Sequence, residues 1–155
     1  MDAADAADPG LPPGTGCVFG KALLAGQAGC ECARRSAVGE RLVVECVSPP
    51  ARTNCATLLE LLRERSRFAL KLPASGAAIT HLQSMRLQCG GLMAMQSLFT
   101  ATEPAGPASP VGDVHRLLLA ARDRHASLTE LPWATLVRRL AAWQPARRRV
   151  PRGGE

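Results

Sequence analysis

Six cysteines, Cys17, Cys30, Cys32, Cys46, Cys55 and Cys89, punctuate this chain, and none follows residue 89. Thiolates are soft ligands for zinc and for iron–sulfur clusters, so this crowding constrains what the first half of the chain can fold around. Spacing narrows the choice. Cys30-x-Cys32 is the only close pair, and no C-x-x-C occurs. Zinc knuckles and ribbons use two pairs, each about two to four residues apart, whose tight turns aim their sulfurs at one tetrahedral ion. A cubane cluster is larger than one ion and accepts ligands from loops far apart in sequence.

The cellular setting follows from the N-terminus and from charge. The first ten residues carry Asp2, Asp5 and Asp8 and lack the basic and apolar regions of a secretory signal. No apolar run approaches the ~20 residues needed to span a bilayer. We therefore expect a cytoplasmic chain, where thiols stay reduced and serve metal, redox chemistry or burial rather than disulfides. The formal net charge is +6, and the only lysines among the 19 basic residues are Lys21 and Lys71. Much of that excess is the run Arg147, Arg148, Arg149 and Arg152. It is read as a solvated tail rather than a nucleic-acid surface, because neither interleaved aromatics nor an RNA-binding motif accompanies it.

Hydrophobic periodicity predicts an α+β fold with disordered tails. A cysteine-bearing unit carries a short two-stranded sheet and two helices, and a C-terminal helical hairpin follows it. Residues 1–16 form an acidic, disordered N-terminus, 17–99 the cysteine-rich unit, 100–112 a Pro-rich linker, 113–144 the hairpin and 145–155 a basic tail. Arg41 to Val47 reads as one strand, with Leu42, Val44 and Cys46 on a common face, and Phe68 to Leu72 alternates as a second. Cys17 to Glu40 reads as loop with little regular structure, apart from a short strand or helical turn near Val18 to Leu24.

Leu58, Leu59 and Leu62 define a helix ending near Ser66, capped either by Ser48 ahead of Pro49 or by Thr53 or Asn54. Thr80 caps a second helix whose stripe is Leu82, Met85, Cys89, Leu92 and Phe99. Asp113 caps a third, with Val114, Leu117, Leu118 and Ala121 inward. Pro132 opens the last, with Trp133, Leu136, Val137, Leu140 and Trp143 inward. Either half alone is small, so the hairpin is expected to dock on the first unit or on a partner.

The ligand set expected for an iron–sulfur cluster is Cys30, Cys46, Cys55 and Cys89, with Cys32 or Cys17 as substitutes. If Asn54 is the cap, Cys55 sits where helix N–H groups lower a thiol pKa. Gly90-Gly91 after Cys89 either admits a bulky group or permits close helix packing. Arg34, Arg35, Arg41 and Arg52 are available to offset thiolate charge. Three other readings compete: zinc, a Cys30/Cys32 thiol pair, and cysteines that are merely buried. His81 is a further nitrogen donor for a metal or a solvated first-turn residue.

No phosphate-cradling loop, H-E-x-x-H, Cys/His pair or paired carboxylates are visible, so no substrate machinery is expected. The expected function is a small metal-binding protein that transfers electrons or serves a redox enzyme, met through the C-terminal hairpin. The alternatives are a metal-free interaction module and a zinc- or thiol-based regulator touching nucleic acid.

Overall fold

The computed structural model describes residues 14–74, 76–99 and 111–145. Most of the acidic N-terminus, nearly all of the Pro-rich linker and the basic tail beyond residue 145 lie outside the described residues. The elements in order are α1 (Gly20–Leu24), β1 (Ala33–Val38), β2 (Arg41–Cys46), α2 (Pro49–Ser66), α3 (His81–Met85), α4 (Gly91–Phe99), α5 (Val114–Arg124) and α6 (Trp133–Ala142). The fold is α+β. No helix among the described residues is long and apolar enough to cross a membrane.

β1 and β2 form an antiparallel hairpin in which Ala33 faces Cys46 and Val38 faces Arg41. The loop is Gly39-Glu40. Gly39 has φ +63°, the positive value that a two-residue II′ connection requires at its first position. On the other side of β2, the Cys17 N–H donates to Val44 O at 2.9 Å and the Cys46 N–H donates to Thr15 O at 2.8 Å. Thr15 and Gly16, expected within a disordered tail, are therefore tied into the sheet.

The sheet corrects two strand readings. Its partner strand is Ala33–Val38 rather than Phe68–Leu72. β1 escaped detection because all but its first residue is exposed, so it carries no alternation. After α2 the chain closes on itself locally, the Leu72 N–H donating to Arg67 O at 2.9 Å. Lys71 adopts φ 54° there, and Phe68 stands 90% exposed. Of that alternating set, Leu72 is buried in the core and Leu70 packs half-buried against it.

Ser48 is the cap of α2: its hydroxyl accepts from the Ala51 N–H at 3.3 Å, with Pro49 and Pro50 in the first turn. Ala51, Leu58 and Leu62 are buried along one face, and Cys55 shares their spacing. Thr80 and Gln83 form a reciprocal capping box at α3. A π turn, Arg86–Gly90, joins α3 to α4. Its extra residue per turn rotates α3 off the inward stripe, so Leu82 is exposed while Cys89, Leu92 and Phe99 are buried.

Gly90-Gly91 serves packing. A Cβ on Gly91 would lie 2.7 Å from Leu62 Cδ1, and one on Gly90 would lie 3.1 Å from Leu140 O. Helices α2 and α6 press on the two positions.

Asp113 caps α5, accepting from the His115 N–H at 3.0 Å, and Val114, Leu117, Leu118 and Ala121 face inward as expected. The hairpin of α5 and α6 docks on the cysteine-bearing unit. Leu117, Leu136, Leu140 and Trp133 belong to the same core as Phe19, Leu58, Leu87 and Met95. The Trp133 indole N–H donates to Leu128 O at 3.1 Å, satisfying the one polar atom that this burial carries.

The entry to α5 is clamped to the loop before β1. Gly29 N–H donates to Val111 O, Val111 N–H to Gln27 O and Val114 N–H to Gly29 O, each at 2.9 Å. A Cβ on Gly29 would stand 2.9 Å from Gly112 O, a backbone atom that cannot swing aside. Gly29→Ala is therefore expected to lower stability by about 1–3 kcal/mol in urea denaturation. Gly112→Ala, with nothing within 4 Å of its Cβ, is expected to change it by about 0.5 kcal/mol or less. Equal effects at the two positions would contradict the clamp.

Candidate functional site

The segments that converge at the open end of the β1–β2 hairpin are the ones that carry thiols. Cys17 lies beside β2 through the ladder just described. Cys30 and Cys32 precede β1 in a turn closed by the Ala33 N–H donating to Cys30 O at 3.1 Å. Cys46 ends β2, and its thiol donates to Ser48 O at 3.3 Å. Cys32 O accepts from the Val47 N–H at 2.9 Å, which sets the turn against the β2 exit. Cys55 faces the same space from the second turn of α2.

These five cysteines line one cavity of about 20 Å³ together with Phe19, Arg52 and His115. The Arg52 Nε donates to Gly16 O at 2.8 Å, holding the guanidinium at the wall. His115, on the first turn of α5, lies 3.8 Å through Nε2 from Glu31 Oε1. A space of about 20 Å³ admits roughly a water-sized occupant and no organic substrate. Among the described residues, no three His, Cys, Asp or Glu side chains are arranged to hold one metal ion. The thiols share a cavity without forming a closed single-ion ligand set.

Three of the four expected ligands, Cys30, Cys46 and Cys55, are thus brought together, and Cys89 is not. Cys89 lies in the π turn, 1% exposed, in the helical core. Cys17, named only as a substitute, occupies the cavity wall instead. His81 is exposed at the first position of α3 and does not line the cavity. Of the arginines named as available to offset thiolate charge, Arg52 lines the cavity and Arg34, Arg35 and Arg41 do not. His115 was missed: it carries no local sequence signal, because the clamp between Gly29 and Val111 is what delivers it.

Electrostatics in the cavity are those of crowded, half-buried thiols. Burial pushes Cys55 up to about 12, with the neighbouring thiolates of Cys17, Cys30, Cys46 and Cys32 adding to it. Cys17 is pushed up to about 11 by burial and by Cys30 and Cys46, against the lowering effect of the Phe19 backbone and Arg52. Cys32 is raised by burial, by Cys30 and Cys46, and by Glu31. Cys89 is pushed up to about 11 by burial alone. The lowered Cys55 pKa expected from an Asn54 cap does not occur. The helix starts six residues earlier, at Pro49, so Cys55 is beyond the reach of its terminal N–H groups.

A pH dependence follows. Below about 9, the ordinary thiol value, these groups are protonated in the folded and unfolded chains alike and contribute no slope. Between about 9 and about 11–12, the unfolded chain releases protons that folded Cys17, Cys55 and Cys89 retain. Stability of the reduced protein should then fall by up to about 1.4 kcal/mol per pH unit for each such thiol, before levelling off. The chain has no Tyr, so ultraviolet thiolate absorbance reads the titration directly. A folded-state midpoint near the ordinary thiol value for all six would contradict it.

Comparison with protein-family models, with curated proteins and with solved structures found no match for this chain.

Proposed function

We propose that this chain is a small cytoplasmic iron–sulfur protein that transfers electrons or serves as an accessory to a redox enzyme. The observation that carries the reading is the convergence of five cysteines, from the segment before α1, the turn before β1, the end of β2 and the second turn of α2, on one cavity. Scattered cysteines that were merely core filler have no physical reason to meet, since each would be satisfied by any apolar neighbour. Cys89 shows what that bland case looks like.

The ligands proposed are Cys17, Cys46 and Cys55, with a fourth thiol from the Cys30/Cys32 turn. A polynuclear cluster takes thiolates set wider apart than those around one ion. The thiols must turn and part to admit it. Arg52 stands at the wall to offset the negative charge of thiolate ligation, as its lowering effect on Cys17 illustrates. Because thiol protons must leave, loading is expected to strengthen as pH rises toward the thiol range.

A redox enzyme is the proposed partner, met through the hairpin. Leu136 and Leu140 of α6 are consumed by the core, so the contact would use the face beside them. There a groove of roughly 410 Å³ is floored by Trp133, Val137 and Ala141 and rimmed by Arg65 and Arg138. The Arg65 guanidinium lies 5.7 Å from the Trp133 ring. No carboxylate is among the lining residues, which suits an acidic, partly apolar segment of that enzyme.

Anaerobic purification or reconstitution with iron and sulfide tests the reading. Brown protein with stoichiometric iron and sulfide is expected. Cys55→Ser should lose the colour and most of the iron, and Cys89→Ser should keep both. Colourless protein with zinc, or with no metal and six titratable thiols, would overturn it.

A further inference from the structure

β1 is bonded along one edge. Its register sets Arg34 against Glu45, Ser36 against Val43 and Val38 against Arg41, and the Val47 N–H donates to Cys32 O at 2.9 Å. Backbone groups alternate sides along an antiparallel strand, so Cys32, Arg34, Ser36 and Val38 turn theirs toward β2. Ala33, Arg35 and Ala37 turn theirs away. The Ala33 N–H donates to Cys30 O at 3.1 Å, but among the described residues nothing bonds the backbone N–H or C=O of Arg35 or Ala37. Every residue of β1 after Ala33 is exposed.

Strand edges that remain single are guarded by a proline, a bulge or a charge projecting over the edge. β1 holds no Pro, and its register runs without a bulge. The Arg35 guanidinium is drawn back to Leu23 O at 2.8 Å.

We propose that β1 pairs with β1 of a second copy of this chain, antiparallel about a two-fold axis at Ser36, joining the two hairpins into one continuous sheet. The residue pattern selects that register. With Ser36 opposite the partner's Ser36, Arg35 stands opposite the partner's Ala37 and Arg34 opposite the partner's Val38. The free N–H groups of Arg35 and Ala37 then donate to the free C=O groups of the partner's Ala37 and the partner's Arg35. No arginine faces an arginine, and the Arg34 stem lies over a valine that is 39% exposed in the single chain. Moving the partner two residues one way sets Arg35 against the partner's Arg35, a like-charge pair. Moving it two the other way pairs Ala37 with itself and leaves Arg35 facing the partner's Gly39, past the end of the strand. The pairing uses no cysteine and is independent of the iron–sulfur reading.

Sedimentation velocity of the full reduced chain measures the association, up to about 0.5 mM because an edge of six residues makes a small, weak interface. A reversible monomer–dimer equilibrium is expected. Ala37→Pro removes an outward N–H at a position where an edge strand tolerates proline. Its circular dichroism should match the parent while dimerisation weakens by at least about tenfold. Ser36→Cys brings two thiols to a non-hydrogen-bonded pair, about 4.5 Å apart at Cα, within reach of a disulfide. Mild diamide oxidation should therefore link two copies through position 36, as read by peptide mass analysis. Arg34→Cys, which meets the partner's Val38, should give no link through position 34. A parent that stays monomeric over that range would overturn the pairing and leave the edge to an extended segment of another protein. An undiminished dimer in a folded Ala37→Pro, or linkage at position 34 equal to that at 36, would overturn it as well, and the linkage decides the matter if the proline variant does not fold.

Discussion

Strand β2 is hydrogen-bonded on both edges, and the arrangement of thiols depends on that. On one edge it carries β1, on the other the short stretch from Thr15 to Cys17. Cys17, Cys46 and the Cys30–Cys32 turn are therefore positioned by backbone geometry, not by side-chain preference. A ladder of this kind is stiff, because buried amide groups that lose a partner cost about 1–3 kcal/mol each. Cys55 is added by the register of α2, which the Ser48 cap fixes two residues beyond the end of the strand.

The helical half supplies what a sheet of this size lacks. Two strands alone are marginal in water, and here they are backed by a core that runs from Phe19 and Val44 through Leu58 and Leu92 to Leu136 and Leu140. Gly90 and Gly91 let α2 and α6 approach that helix from two sides. The C-terminal hairpin is thus part of the structure that holds the cysteine end in place. Its clamp at Gly29 and Val111 carries the stiffness of the helical core directly to the loop bearing Cys30.

Much of this was legible where a side chain determines local geometry. Thr80 and Asp113 announced helix starts, Ser48 with Pro49 was one of two starts the sequence left open for α2, and the spacing of Leu117, Leu118 and Ala121 announced the buried face of α5. β2 was legible from the alternation of Leu42, Val44 and Cys46, although Leu42 at the hairpin tip is 62% exposed and Val43 on the opposite face is fully buried. Illegible features depended on distant partners. β1 has no buried face to write a pattern, and Thr15 to Cys17 is too short to show one. The π turn shifted the phase of a helix whose residues gave no warning, taking Leu82 off the expected stripe, while Cys89 stayed on it with Leu92, away from the other cysteines. Cysteine crowding was visible in the sequence; which five meet was not.

The cluster reading turns on where iron sits. Anomalous diffraction at the iron edge, from crystals of anaerobically loaded protein, locates the metal without reference to colour or variants. The account predicts a compact peak bounded by Cys17, Cys46, Cys55 and the Cys30–Cys32 turn. A peak elsewhere, beside Cys89 or an exposed histidine, or no peak at all in that cavity, would contradict it.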